Sequence, residues 1–227
     1  MAVPGCADPR RLVRTDGEET TMITLYTYPT PNGHKASIML EEVGLEYRVL
    51  KVDLAGGEQL RPDYLAISPI GKIPALIDEE IGSPPLRVFG SGAILLYLAE
   101  KTGCLLPEGI GPRTETCNWL AFGVSDLAPT AVDLFRFAVR APEKLPYAID
   151  LFRNELRRCY RAVEERLAEQ EYLVETGYSI ADIAVFPFVA VSVQVAPEFL
   201  DTHPNIKRWY DTVAVRPAVE RGMKVPE

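Results

Sequence analysis

Histidine is nearly absent from this 227-residue chain, which has only His34 and His203, and its four cysteines, Cys6, Cys104, Cys117 and Cys159, are scattered without a C-x-x-C pair. That scarcity argues against a zinc centre and against a disulfide framework, so no metal is expected. Long apolar runs are also missing, which leaves no segment for a membrane span or a secretory signal, and the cysteines read as reduced thiols of a cytoplasmic protein. Basic charge is in deficit, with 24 Lys and Arg against 32 Asp and Glu, a net charge of -8. A surface that tracks phosphates is not built this way, so nucleic acid is not the expected partner. What the chain does have is an ordinary globular mix, 47% hydrophobic and 25% charged, long enough for one large or two modest domains.

Residues 1–21 mix Arg10, Arg11 and Arg14 with Asp16, Glu18 and Glu19 and show no apolar period, so they read as an appendage that stops at Met22. Strong patterning begins there. Ile23 to Tyr28 alternates like a strand and is closed by the Pro29-Thr30-Pro31-Asn32-Gly33 loop, after which Asn32 is positioned to cap a helix through Val43. Gly44 stops that helix before a second strand, Tyr47 to Val52, completing a β-α-β unit. A short helix over 60–67 ends before Ser68-Pro69, two brief strands over 74–77 and 86–89 suit a hairpin, and a helix from Ser91, which can cap it, closes the half at Gly103. This order is a thioredoxin-like α/β domain over 22–104. A linker composition over 105–112 follows, and 113–227 lacks strand alternation and reads as an all-α helical domain.

Within that second half, the helix over 147–167 carries one apolar face, and Arg153, Arg157, Arg158 and Arg161 sit away from it as a solvated face paired with Glu164 and Glu165. Ser179-Ile180-Ala181-Asp182 is a capping box with Asp in place of Glu, so Asp182 is structural. Pro129 and Pro187 should bend their helices. His203 opens a short helix, and Arg216-Pro217 begins the final one.

The Thr30 loop carries the clearest chemistry. A thiol has a reference pKa of about 8.5, so a site that uses it at neutral pH must favour the thiolate with hydrogen-bond donors or a helix N-terminus. The Thr30 hydroxyl and the Asn32 amide are donors, and the free N–H groups of the next helix begin beside them. Taken alone, the same five residues also describe a turn with an N-cap.

Four separated stretches, Leu25 to Lys35, Ile67 to Leu76, Ser91 to Gly103 and Ser179 to Ala184, resemble the glutathione transferase superfamily in the right order, and within it the Nu class, close to the fungal nitrogen-regulator branch. The match runs from Met22 nearly to the C-terminus. The resemblance implies a glutathione-dependent enzyme that uses glutathione itself as the sulfur nucleophile to reduce small disulfides, with Thr30 and Asn32 as catalytic residues. The bond matching Ile73-Pro74 is cis in this superfamily, exposing the Ile73 backbone to pair with the cysteinyl unit of glutathione. Lys72 then suits the glycyl carboxylate, Ser91 the γ-glutamyl carboxylate, and Gln59 matches a position that reaches glutathione in Nu-class relatives. No protein cysteine lies in the Thr30 loop, in keeping with this chemistry. Homodimers are the usual state of such proteins.

Two departures qualify the pattern. Gly90-Ser91-Gly92-Ala93-Ile94 stands where the family has Glu before the Ser, so the carboxylate for the ligand's α-ammonium is missing. The first long helix, with Phe135, Phe137, Arg136 and Arg140, is more apolar than its His- and Gln-rich counterparts, which keeps open conjugation or ether cleavage on an apolar aromatic substrate. Loss of the Glu also leaves open a binding or regulatory module that has left glutathione chemistry behind.

Overall fold

The computed structural model describes residues 22–227, so the expected appendage and Cys6 lie outside the described residues. Two compact units emerge. Of the described residues, one contains Met22–Leu106 together with Val215–Glu227, and the other contains Pro107–Ala214.

In the first unit, β1 (Ile23–Thr27), β2 (Tyr47–Lys51), β3 (Ala75–Asp78) and β4 (Leu86–Phe89) form one mixed sheet in the order β2-β1-β3-β4. β1 runs parallel to β2 and antiparallel to β3, and β3 pairs antiparallel with β4. The parallel pair needs a crossover, which α1 (Pro31–Val43) supplies; the hairpin needs only the turn between Asp78 and Leu86. α3 (Ser91–Thr102) packs on α1, and Leu25, Ile38, Leu40, Leu76, Ile94 and Leu98 are fully buried. A short α2 (Pro62–Leu65) follows a single 3-10 turn, Glu58–Leu60. Tyr64, Ile67, Val52 and Ala75 form a separate small cluster with Tyr26 and Ile77 packed against it.

The sequence pattern groups 113–227 together, whereas in the structure Val215–Glu227 pack within the first unit. The reason is close backbone approach. A Cβ at Gly222 would lie 2.5 Å from the Ile38 Cα, and the Ser37 hydroxyl donates to the Gly222 carbonyl at 2.7 Å. Arg216 and Arg221 then reach Glu42 and Glu41 on α1. The hairpin end is tied to α3 by the fully buried Asp78, which accepts from Tyr97 at 2.6 Å and from Lys101.

The second unit is helical. α4 (Ile110–Phe122) begins inside the stretch expected to be linker, because Gly109 at φ 85 turns the chain directly into it. A π-helical turn, Gly123–Leu127, leads into α5 (Ala128–Phe135), and a second, Arg136–Arg140, follows. Pro129 therefore sits at the start of α5, and its missing N–H is accommodated by the π turn ahead of it. α6 (Pro146–Glu169), α7 (Ile180–Val195) and α8 (Pro204–Ala214) complete the unit, and α9 (Pro217–Gly222) belongs to the first. Asp182, at zero exposure, accepts from the Ser179 N–H at 2.9 Å, the Ser179 hydroxyl at 3.3 Å, the Leu173 N–H at 3.1 Å and the Trp209 indole at 2.9 Å. The capping box expected at Ser179 is present.

Arg153, Arg158 and Arg161 pair with Asp150, Glu155 and Glu165, but Glu164 turns inward and accepts the Asn205 and Ile206 N–H groups at 3.0 and 2.9 Å, satisfying the open donors at the start of α8. Cys117 and Cys159 carry free thiols, as expected.

Candidate active site

Sheet register gathers the sequence-predicted residues at one end of the first unit. β1 ends at Thr27, and the chain turns at once into α1. Thr30, rather than Asn32, is the N-cap: its hydroxyl oxygen accepts the Gly33 N–H at 3.2 Å, and Pro31 occupies the first helical position. Two prolines disfavour helix up to Asn32 by residue type, but proline's fixed φ suits that first position and its missing N–H costs nothing there. Asn32 is therefore inside the first turn. Gly33 is required, since a Cβ there would collide with the Tyr28 carbonyl and come within 2.6 Å of Thr27 Oγ1.

Continuing the β1–β3 register from Tyr26↔Ala75 by two residues brings Ile73 toward Tyr28. Continuing β3–β4 from Ala75↔Phe89 by the same step brings Ser91 toward Ile73, and the Gly90 N–H does donate to the Pro74 carbonyl at 3.1 Å. Thr30, Ile73 and Ser91 thus share one sheet end. Ile73-Pro74 is a cis peptide bond, and among the described residues neither the Ile73 N–H nor its carbonyl joins a backbone hydrogen bond. Gln59 belongs to the same neighbourhood: a Cβ at Gly71, which has φ 63, would lie 2.9 Å from the Gln59 carbonyl.

The donors are available. The Thr30 hydroxyl proton has only the Tyr28 carbonyl, at 3.5 Å, the outer limit of a hydrogen bond. Ser91 is the first residue of α3 and does not cap it as expected; Gly90 takes the cap position at φ 85, with no side-chain cap, so the Ser91 hydroxyl is not spent on the helix. Gln59 donates to the Leu54 carbonyl at 3.3 Å, while its Oε1 is buried with no partner. Lys72 extends into solvent. Beyond the loop, burial lowers the pKa of His34 and pushes Lys35 down to about 7, so the start of α1 carries less positive charge than its composition suggests.

Sequence reasoning missed Tyr64 and Ser68. Both hydroxyls donate to the Lys72 carbonyl at 2.9 Å, shaping the loop that presents Ile73. Their spacing gives a helical turn, not a shared acceptor eight and four residues downstream, so no local signal marked them. Among the described residues no group of His, Cys, Asp and Glu could hold a metal ion, and no helix is long and apolar enough to cross a membrane.

Residues 21–100 match the glutathione S-transferase N-terminal domain and residues 127–217 match its C-terminal domain. The chain belongs to the glutathione S-transferase family. It is 43% identical over 204 residues to the disulfide-bond oxidoreductase YfcG of Escherichia coli, covering 89% of this chain and 94% of that protein. Among solved glutathione transferases, the enzyme from Pseudomonas putida with one glutathione disulfide bound per subunit is similar at a TM-score of 0.86 and 36% identity, covering 93% of this chain and 95% of that one. URE2P6 from Phanerochaete chrysosporium in complex with oxidized glutathione is similar at 0.84 and 33%, covering 89% and 95%. The transferase fold therefore extends over both units of this chain, each with the family's secondary-structure order.

Proposed function

We propose that this chain is a Nu-class glutathione transferase that reduces small disulfides with glutathione as its thiol substrate. The reading is carried by one observation: a Thr30 hydroxyl without a good acceptor, an Ile73 backbone that among the described residues joins no backbone hydrogen bond, and an unspent Ser91 hydroxyl stand at one sheet end. Similarity to YfcG and to the two disulfide-bound transferases supports it.

The assigned roles follow from chemistry. Ile73 pairs with the cysteinyl amide of glutathione in β fashion, Ser91 and the start of α3 hold the γ-glutamyl carboxylate, Lys72 faces the glycyl carboxylate, and Gln59 contributes its buried Oε1. Thr30 and Asn32 donate to the sulfur, favouring thiolate. The thiolate attacks one sulfur of the disulfide; the S–S bond breaks, its electron pair leaves on the other sulfur, and that thiolate takes a proton from water. A second glutathione thiolate attacks the mixed disulfide at the glutathione sulfur, releasing the remaining thiol. Two glutathione molecules are oxidised to one glutathione disulfide, and one substrate disulfide is reduced to two thiols. No protein cysteine takes part.

The cytoplasm, where the glutathione pool is kept reduced, is the compartment that sustains this direction, and a homodimer is the state that the family resemblance supports. Calorimetric titration with reduced glutathione and with its disulfide tests the reading. Saturable binding of both is expected; binding of neither at millimolar concentration contradicts it and leaves a fold that has lost glutathione chemistry.

A further inference from the structure

The Lys72 carbonyl receives two hydrogen bonds, from the Tyr64 hydroxyl at 2.9 Å and the Ser68 hydroxyl at 2.9 Å. Ser68 is fully buried and Tyr64 is 5% exposed, with its ring held edge-on by Tyr26 at 6.1 Å. Both lone pairs of one carbonyl are thus occupied by buried hydroxyl donors. A surface loop gains little from such saturation, because water would satisfy the same carbonyl.

The consequence lies in the next atom pair. The Lys72 carbonyl and the Ile73 N–H belong to one planar peptide unit, in which they point in opposite directions. Pinning the carbonyl therefore aims the Ile73 N–H, a donor that among the described residues has no backbone acceptor. Two donors on the carbonyl also polarise the peptide, which strengthens its N–H as a donor. Gly71 completes the arrangement: its φ of 63 and its approach to the Gln59 carbonyl let the chain turn tightly between Ser68 and Lys72.

We infer that Tyr64 and Ser68 are positioning residues that fix and polarise the 72–73 peptide so that the Ile73 N–H meets the amide of the thiol substrate. The inference rests on the glutathione reading above for the identity of that substrate, but the polarised peptide itself does not depend on it. Tyr64→Phe and Ser68→Ala each remove one hydroxyl while keeping the surrounding packing, and Ser68→Thr restores a hydroxyl.

Two readouts are combined. In the full chain labelled with 15N-isoleucine, the Ile73 amide nitrogen resonance moves upfield in Tyr64→Phe and Ser68→Ala, and furthest in the double variant, as the carbonyl loses its donors. In steady-state assays with glutathione and a small dialkyl disulfide, each single variant raises the KM for glutathione about three- to tenfold with kcat unchanged, and Ser68→Thr returns it toward wild type. A resonance that stays in place overturns the inference. A fall in kcat at constant KM also overturns it, since that is the signature of lost active protein. If the resonance moves while the wild-type protein binds no glutathione, the peptide clamp stands and the glutathione reading is what fails.

Discussion

Thr30 Oγ1 accepts the Gly33 N–H at 3.2 Å, so the residue that caps α1 is the one whose hydroxyl proton faces the loop with only a 3.5 Å contact to Tyr28. One side chain serves the helix through its lone pair and the site through its proton. Thr30→Ala removes both, and the two losses are separable. The cap is worth about 1 kcal/mol of stability, read by chemical unfolding, and loss of a hydrogen bond to a charged sulfur lowers kcat by about 10- to 100-fold. Thr30→Ser keeps the hydroxyl and is expected to retain most of both.

The family resemblance implies a carboxylate at the position of Gly90; a Cβ there would meet nothing within 4 Å, but the backbone is held at φ 85. Gly90→Glu is therefore expected to tighten glutathione binding by about tenfold through the ligand's ammonium while costing about 1 kcal/mol or more in stability from the positive φ. Titration calorimetry and thermal unfolding read the two effects. Gly90→Ala should show the cost without the gain.

Gly33 is buried and has no such open space. Any side chain there strikes the Tyr28 carbonyl, which is backbone and cannot swing away. Gly33→Ala should destabilise the first unit by more than about 2 kcal/mol and lower glutathione affinity, since the Thr30 loop must shift to make room. Paired unfolding and binding measurements check both.

Asp182 is expected to set a pH slope. Burial raises its pKa to about 6 despite the hydrogen bonds it receives, so the folded protein holds that proton more tightly than the unfolded chain. Its contribution to stability is present below the ordinary carboxylate range and is lost as pH rises through about 6. Urea unfolding between these limits should show the decline, and Asp182→Asn should abolish it. Asp182→Ala, by stranding the Trp209 indole and two backbone N–H groups, should cost about 3–5 kcal/mol at any pH.

Local signals in the sequence were enough for β1, the Thr30 loop, the capping box at Ser179 and the β-α-β order, because each is written within a few neighbouring residues. Cap positions were less legible. Asn32 and Ser91 are both good N-cap residues by type, yet Pro31 at the first helical position and Gly90 at positive φ moved the true caps to Thr30 and Gly90. The start of α4 was hidden by glycine and proline in a stretch that looks like a linker, although Pro112 falls within the first turn, where proline is tolerated. Glu164 and the Tyr64–Ser68 pair were invisible for a different reason: their partners lie 41 and up to eight residues away, and only the fold sets those distances.

The assignment of Thr30 as catalytic requires that its loop hold the bound thiol as thiolate. Its most direct test is an ultraviolet titration of the thiolate in the complex with reduced glutathione, for the wild type and Thr30→Ala. The bound thiol is expected to ionise below the free value of about 8.5 in the wild type and to return toward it in the variant. A bound thiol that titrates at the free value in the wild type, or equally low in both proteins, would contradict it.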